Sequence, residues 1–262
     1  MSPVIHNYWL RKYSKLCVYK KKEVNRDSLV KIIEQIKKKK IIGVNVTIPY
    51  KKDFYNLLSH LSLNAKKSKA VNTLFLKNDK VYGENTDGVG YCEALKQEMN
   101  FNVEGKNILI LGSGGASYGI ISELLNRNVS KVIISNRTKK NCYELIDNFK
   151  DKKTKLELLE WEKIKPNSET DLIINTTSLG MNKNEKIKID MENLKKNTLY
   201  SDIIYKPKKT ETMKNFEEKG FLTQNGLSML VFQAAESFRL WFGINLTKQD
   251  INEAKSLCEK TY

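Results

Sequence analysis

The 262-residue chain has little of what builds metal centres or disulfide scaffolds. It carries two histidines, His6 and His60, and four cysteines, Cys17, Cys92, Cys142 and Cys258, with no pair in C-x-x-C spacing. Those counts argue against a structural zinc site or any other metal, and against a disulfide framework. Scattered thiols suit a reducing cytoplasm. Four prolines and 13 glycines exclude collagen-like and low-complexity chains. No apolar run approaches the ~20 residues needed to span a bilayer. The opening residues lack the apolar stretch and small-residue cleavage site of a signal peptide. Acid and arginine are scarce as well. Lys+Arg is 46 against 30 Asp+Glu, a net charge of +16, yet only five of the basic residues are arginine. Base-edge and bidentate phosphate recognition favour arginine over lysine, and the lysines are spread along the chain. The charge therefore reads as solvated lysine faces able to attract anionic ligands, not as a nucleic-acid site.

What is present is a core-forming composition, 40% hydrophobic with 9% aromatic residues. Leu29, Ile32, Ile33 and Ile36 recur at helical spacing over Asp27 to Lys40. Ile41 to Ile48 is a β-branched run ended by Pro49, predicting a buried strand and then a helix that carries Lys51. Asn72–Leu76 and Lys80–Tyr82 flank Asn78-Asp79 as a hairpin. A helix is expected from Thr86 to about Met99. Strands at Asn107–Leu111, Lys131–Ser135, Asp171–Asn175 and Leu199–Ile204 then alternate with helices at Gly115–Asn126 and Lys139–Phe149. That alternation means crossover units and a parallel sheet. Leu227–Phe242 and Lys248–Glu259 read as helices.

The first central strand runs directly into Gly112-Ser113-Gly114-Gly115-Ala116 and a helix. Glycines there permit a tight turn and let phosphate oxygens approach backbone N–H groups at a helix N-terminus. The next strand ends at Asn136-Arg137-Thr138-Lys139. In nicotinamide-binding folds an acid at this point holds the adenosine ribose hydroxyls of NAD. Arg137 and lysines stand here instead, which suits the 2′-phosphate of NADP. An ordinary strand-to-helix turn and a surface arginine are the structural alternatives.

Asn45 and Thr47 lie two apart, sharing one face of the expected strand, and Lys51 follows. Asn72-Thr73 and Asn85-Thr86-Asp87-Gly88 come next. A group of Asn, Thr, Lys and Asp without metal ligands suits a small polyhydroxylated substrate. Taken singly, each has a structural reading, because Asn and Asp cap helices and Thr favours strands.

The stretches Gly43-Val-Asn-Val-Thr-Ile-Pro-Tyr-Lys51, Ala70-Val-Asn-Thr-Leu74 and Asn85-Thr-Asp-Gly88 resemble the substrate-domain signatures of the shikimate dehydrogenase family. The glycine loop, Asn136-Arg137-Thr138, Asn175-Thr-Thr-Ser-Leu-Gly-Met181, Asp202-Ile-Ile-Tyr-Lys-Pro207 with Thr210, and Asn225-Gly-Leu-Ser-Met-Leu-Val-Phe-Gln-Ala-Ala-Glu236 continue the match in order. The resemblance implies reversible NADPH-dependent reduction of 3-dehydroshikimate to shikimate. Lys51 matches the catalytic lysine and Asp87 its aspartate partner. Ser2, Asn45, Thr47, Asn72, Asp87, Tyr205 and Gln233 match or neighbour the substrate ligands. Gly112, Ser113, Gly114, Gly115 and Ala116 fall to the pyrophosphate, and Asn136, Arg137, Thr138 and Lys139 to the adenosine phosphate. Thr176, Ile203 and Gly226 complete the cofactor side.

The chain departs from the pattern in several places. It lacks the first serine of the S-x-S-P motif and the strand that precedes it, for which an upstream start is the expected explanation. Ser228 stands where glycine is common, Tyr118 where a basic residue is common, and Asn141 where Arg or Lys is frequent. The implied architecture is α/β with two domains. The substrate-binding domain takes residues 1–87 with C-terminal helices over 227–262, and a Rossmann-like NADP-binding domain takes 88–226, the active site lying in the cleft between them. The expected protein is a cytoplasmic monomer or homodimer with no nucleic-acid or membrane partner. The alternatives are a quinate/shikimate paralogue acting on another cyclic acid, a non-catalytic NADP-binding relative, and a nucleic-acid-binding protein.

Overall fold

The computed structural model describes residues 1–149 and 155–261. In chain order the helices are α1 Ser2–Lys12, α2 Leu29–Lys37, α3 Lys51–Leu57, α4 Leu63–Ser68, α5 Asp87–Met99, α6 Gly115–Asn126, α7 Lys139–Asn148, α8 Glu211–Glu218, α9 Leu227–Phe242 and α10 Lys248–Glu259. The strands are β1 Gly43–Asn45, β2 His60–Leu61, β3 Thr73–Lys77, β4 Lys80–Glu84, β5 Asn107–Leu111, β6 Lys131–Ser135, β7 Lys155–Leu158, β8 Leu172–Asn175, β9 Leu199–Asp202 and β10 Leu222–Gln224. The chain divides into two compact units, Met1–Glu93 with Ser228–Tyr262, and Ala94–Leu227.

The first unit holds a four-stranded sheet in the order β1-β3-β4-β2. β3 and β4 form the expected hairpin, with Asn78 and Asp79 both at positive φ (50° and 55°), as a two-residue hairpin turn requires. The amphipathic α2 buries Leu29, Ile32 and Ile36 in a cluster with Phe54, Leu74 and Val81. At about 25 cal/mol per Å² of apolar surface, such side chains each contribute on the order of 2 kcal/mol. One expectation for this unit is corrected. The strand expected over Ile41–Ile48 is only Gly43–Asn45, an edge strand paired to β3 alone. Beyond it Val46 N–H still donates to the Asn72 carbonyl, but the Thr47 carbonyl already accepts from Tyr50 N–H in a turn, and Ile48 is exposed. Ahead of β1 lies helix α1.

Helix α1 packs on α10 around two acids, Glu253, which takes the Tyr8 hydroxyl and Lys12, and Asp250. Asp250 receives Lys12 Nζ at 2.7 Å and the Tyr13 hydroxyl at 2.7 Å, while its own side chain accepts from Thr247 N–H at 2.7 Å in a capping box. Next to this contact, α1 buries His6 (1% exposed) among aromatic rings, stacked on Tyr19 at 4.4 Å. Burial lowers the His6 pKa from 6.5 to about 3, an effect the neighbouring Asn45 amide only partly offsets. The unfolded chain therefore takes up this proton first, so stability is lost as pH falls from about 6.5 toward 3. At pH 5 the loss is about 2 kcal/mol. Urea titrations from pH 7 to 4 should show wild type weakening relative to His6→Phe. A constant difference between the two across that range would refute the assignment.

The second unit is a parallel sheet in the order β10-β9-β8-β5-β6-β7. β5, β8 and β9 are buried along nearly their whole lengths, as strands covered on both faces must be. Leu109, Leu111, Ile173 and Tyr200 pack with Met213 and Phe216 of α8. Chain order reverses between β5 and β8, and ligands of such sheets bind beyond the strand C-termini at that switch point. Leu111, Ser135, Asn175 and Asp202 are the last residues of their strands and lie in register with their neighbours. The unit boundaries fall inside α5, after Glu93, and at Leu227, since α5 continues unbroken from Asp87 to Met99.

Candidate active site

In the first unit, two helix starts face each other. Lys51 opens α3 and Asp87 opens α5. Lys51 Nζ lies 2.5 Å from Asp87 Oδ2, with the two side chains 19% and 9% exposed. Asp87 Oδ1 accepts from Asn72 Nδ2 at 2.7 Å. Asn72 Oδ1 in turn accepts from Thr86 N–H at 2.9 Å, and Asn85 Oδ1 accepts from Asp87 N–H at 3.1 Å. The carboxylate is thus fixed from two sides while the lysine amine keeps some access to solvent. Hydrogen bonding of this kind holds an ammonium at one position instead of letting a flexible lysine sweep. The backbone tightens the arrangement further, because the Lys51 carbonyl accepts from Val71 N–H at 2.9 Å.

The remaining residues expected in this unit divide into two groups. Gln233 on α9 sits close by: its carbonyl accepts from the Thr86 hydroxyl at 3.2 Å, and a Cβ added at Gly90 would collide with its backbone. Its side-chain amide donates to the Leu230 carbonyl at 2.8 Å. Asn45 is committed elsewhere. Its Nδ2 donates to Ser237 Oγ at 2.8 Å and Thr73 Oγ1 at 3.0 Å, and its Oδ1 accepts from the Tyr19 hydroxyl at 3.1 Å. The face shared by Asn45 and Thr47 is not realised, because β1 stops at Asn45 and Thr47 is exposed. Ser2, the first residue of α1, is half-buried. Ser237 is the partner here that the sequence does not signal. Thr73 and Thr86 stand inside quoted motifs, but Ser237 is 192 residues from Asn45 with no local signal.

In the second unit Gly112 makes the tight turn expected of the glycine loop. Gly112 has φ +107°, and a Cβ there would be 2.7 Å from Thr176 Oγ1, so glycine is needed twice over. Thr176 Oγ1 donates to the Leu111 carbonyl at 2.7 Å and meets Ser117 Oγ at 2.7 Å, and Ser117 Oγ donates to the Gly112 carbonyl at 3.0 Å. Thr176 therefore braces the loop from behind. In front, a Cβ at Gly114 or Gly115 would meet nothing within 4 Å. α6 follows its N-cap Gly114, which offers no side-chain cap, and the buried Ser113 hydroxyl has no hydrogen-bond partner. Open backbone, an uncapped helix start and an orphaned hydroxyl together fit a pyrophosphate.

At the end of β6 Asn136 Nδ2 donates to the Thr138 carbonyl at 3.0 Å, shaping the turn that presents the exposed Arg137. Thr138 leads into α7 without capping it through its side chain. Lys139, expected at the adenosine phosphate, is paired with Glu160 at 3.1 Å, both side chains more than half exposed, so a carboxylate competes for it. After β9, Ile203 and the half-buried Tyr205 follow Asp202. A Cβ at Gly226 would run into the Ile203 carbonyl, and Gly226 N–H donates to the Ile204 carbonyl at 3.0 Å. Among the described residues no cluster of His, Cys, Asp and Glu has the makings of a metal site, and no helix is long and apolar enough to cross a membrane.

A doubly wound parallel sheet with a phosphate-type glycine turn, joined in one chain to an α/β unit that holds a lysine–aspartate pair, defines a dinucleotide-binding oxidoreductase class. Family models narrow it. Residues 1–74 match the shikimate dehydrogenase substrate binding domain, 93–220 the shikimate / quinate 5-dehydrogenase model, and 226–249 the shikimate 5′-dehydrogenase C-terminal domain. A shikimate dehydrogenase (NADP(+)) of Pelagibacter ubique is 35% identical over 93% of this chain and 89% of its own length. The shikimate dehydrogenase of Aquifex aeolicus superposes with a TM-score of 0.83 at 34% identity, covering 97% of this chain and 91% of that one. The Listeria monocytogenes shikimate 5-dehydrogenase, solved with shikimate and NAD, gives a TM-score of 0.90 at 28% identity, covering 98% and 91%. The chain belongs to the shikimate dehydrogenase family.

Proposed function

We propose that this chain is an NADP-dependent shikimate dehydrogenase, reversibly reducing 3-dehydroshikimate to shikimate in the route to chorismate and the aromatic amino acids. The observation that carries the reading is the Lys51–Asp87–Asn72 chain, a proton-bearing amine held at one point by a fixed carboxylate. The names of the curated relatives support both substrate and cofactor. Bound NADPH supplies the hydride to the carbonyl carbon. Lys51 gives a proton to the carbonyl oxygen as it becomes a hydroxyl, and takes it back in the oxidative direction. Asp87 orients Lys51 and accepts a hydrogen bond from a neighbouring substrate hydroxyl. Asn72 and Thr47 belong with the substrate ligands in this reading, as do Ser2, Tyr205 and Gln233. Asn45 instead acts at one remove, through Thr73 and Ser237.

The first unit is the substrate-binding domain and the second the NADP-binding domain. Gly112 to Ala116 hold the pyrophosphate and Thr176 braces their loop. Asn136 to Thr138 hold the adenosine phosphate, and Ile203 and Gly226 border the nicotinamide. Lys139 adds positive charge once Glu160 is displaced. Four free thiols support a cytoplasmic location, and the arginine-poor charge supports small anionic ligands over nucleic acid. Incubation with NADPH and 3-dehydroshikimate, followed by chromatography, should yield one shikimate per NADPH oxidised. NADPH left intact beside unreacted 3-dehydroshikimate would overturn the reading.

A further inference from the structure

The second unit buries one carboxylate that the proposed mechanism does not use. Asp202, the last residue of β9, is 1% exposed. No ion pair reaches it among the described residues, and burial pushes its pKa up to about 6. An isolated buried carboxylate is costly unless hydrogen bonds satisfy it, and four donors converge here. Oδ1 accepts from Ile204 N–H at 2.9 Å. Oδ2 accepts from Asn175 Nδ2 at 3.1 Å, from Thr210 Oγ1 at 3.1 Å and from the Tyr200 hydroxyl at 3.5 Å.

Those donors come from different places around the sheet's C-terminal edge. Asn175 ends β8 and shapes the next turn, its Oδ1 accepting from Thr177 N–H at 2.9 Å, while its own carbonyl accepts from Ile203 N–H at 3.1 Å. Thr210 caps α8, accepting from Met213 N–H at 3.3 Å. The segment 203–205 is thus gripped on one side by Asp202 and Asn175 and on the other by the close approach of Gly226. The cost of burying a charge is sustained at the strand end that the nicotinamide and substrate roles of Ile203 and Tyr205 depend on.

We propose that Asp202 is a positioning residue for the reaction, its four-donor carboxylate fixing the 203–205 segment so that Ile203 and Tyr205 meet cofactor and substrate in one conformation. This rests on the roles given to Ile203 and Tyr205 above. Asp202→Asn keeps the shape but sets an amide N–H₂ against donors, so the segment is released in at least one contact. The KM for NADP+ and for shikimate should each rise about tenfold or more, with kcat within about threefold, because Lys51 and Asp87 are untouched. A purely architectural role predicts a lower Tm and a smaller active fraction, with both KM values unchanged, and that outcome overturns the proposal.

Should the Asp202→Asn protein not fold, Thr210→Val, which removes one donor, should raise both KM values about threefold. Thr210→Ser, which keeps the donor, should restore them, and unchanged KM values in the valine variant overturn the proposal. A wild-type protein that binds NADP+ but does not oxidise shikimate contradicts the functional reading alone. Asp202 is then judged on NADP+ affinity, where the same tenfold loss is expected and equal affinity overturns it. A wild type that binds no NADP+ contradicts both.

Discussion

Lys51→Ala should lose ~10²-fold or more in turnover while binding NADP+ within about twofold of wild type. Lys51 Nζ touches Asp87 Oδ2 at 2.5 Å, so in the proposed mechanism the substitution removes the proton donor and leaves the residues of the glycine loop unchanged. Asp87 keeps its bond from Asn72 at 2.7 Å, so the carboxylate stays in place and the loss reports on the amine. Helix α3 itself does not rest on the side chain removed, since it begins at Lys51 and its buried anchor is Phe54. Single-turnover rates with NADP+ and shikimate, set beside NADP+ titrations, separate the two effects. Turnover equal to wild type would remove Lys51 from the mechanism.

Arg137→Ala should weaken NADP+ binding by about 10- to 100-fold and leave NAD+ affinity unchanged. A charge-assisted hydrogen bond is worth ~1.5–3 kcal/mol, and the 2′-phosphate is the part of NADP+ that NAD+ lacks. Arg137 stands exposed after the last residue of β6, with no acid among its sequence neighbours Asn136, Thr138 and Lys139. Lys139 lies next to it but is shared with Glu160 at 3.1 Å, so it replaces the lost guanidinium only in part. Equal losses for both cofactors would mean that Arg137 holds the turn and not the phosphate.

Much of this was legible in the sequence because the signals are local. The parallel sheet follows from strands such as Asn107–Leu111 and Lys131–Ser135 alternating with helices, and the hairpin from Asn78-Asp79. The glycine turn is written in five consecutive residues. What was not legible depends on distant partners or on elements too short for a period. β2 and β10 have two and three residues, and neither length can display an alternation. α1 hides its buried face because one of its positions is His6, a polar residue made neutral by burial among aromatic rings. The run Ile41–Ile48 has strand composition throughout, yet its turn begins at Thr47, where backbone hydrogen bonds outweigh β-branched preference. Asn45 looked like a ligand because an amide in an apolar strand needs a partner, and that partner is Ser237 on α9. Lys139 looked free because Glu160 is 21 residues away.

The central claim is that the chain oxidises shikimate using NADP+. Initial rates of NADPH formation with shikimate and NADP+, repeated with NAD+ and with quinate, test it most directly. The account predicts the largest kcat/KM for shikimate with NADP+, falling at least about tenfold when either partner is exchanged. Rates equal or greater with quinate, or with NAD+, would contradict it, as would the absence of any oxidation of shikimate.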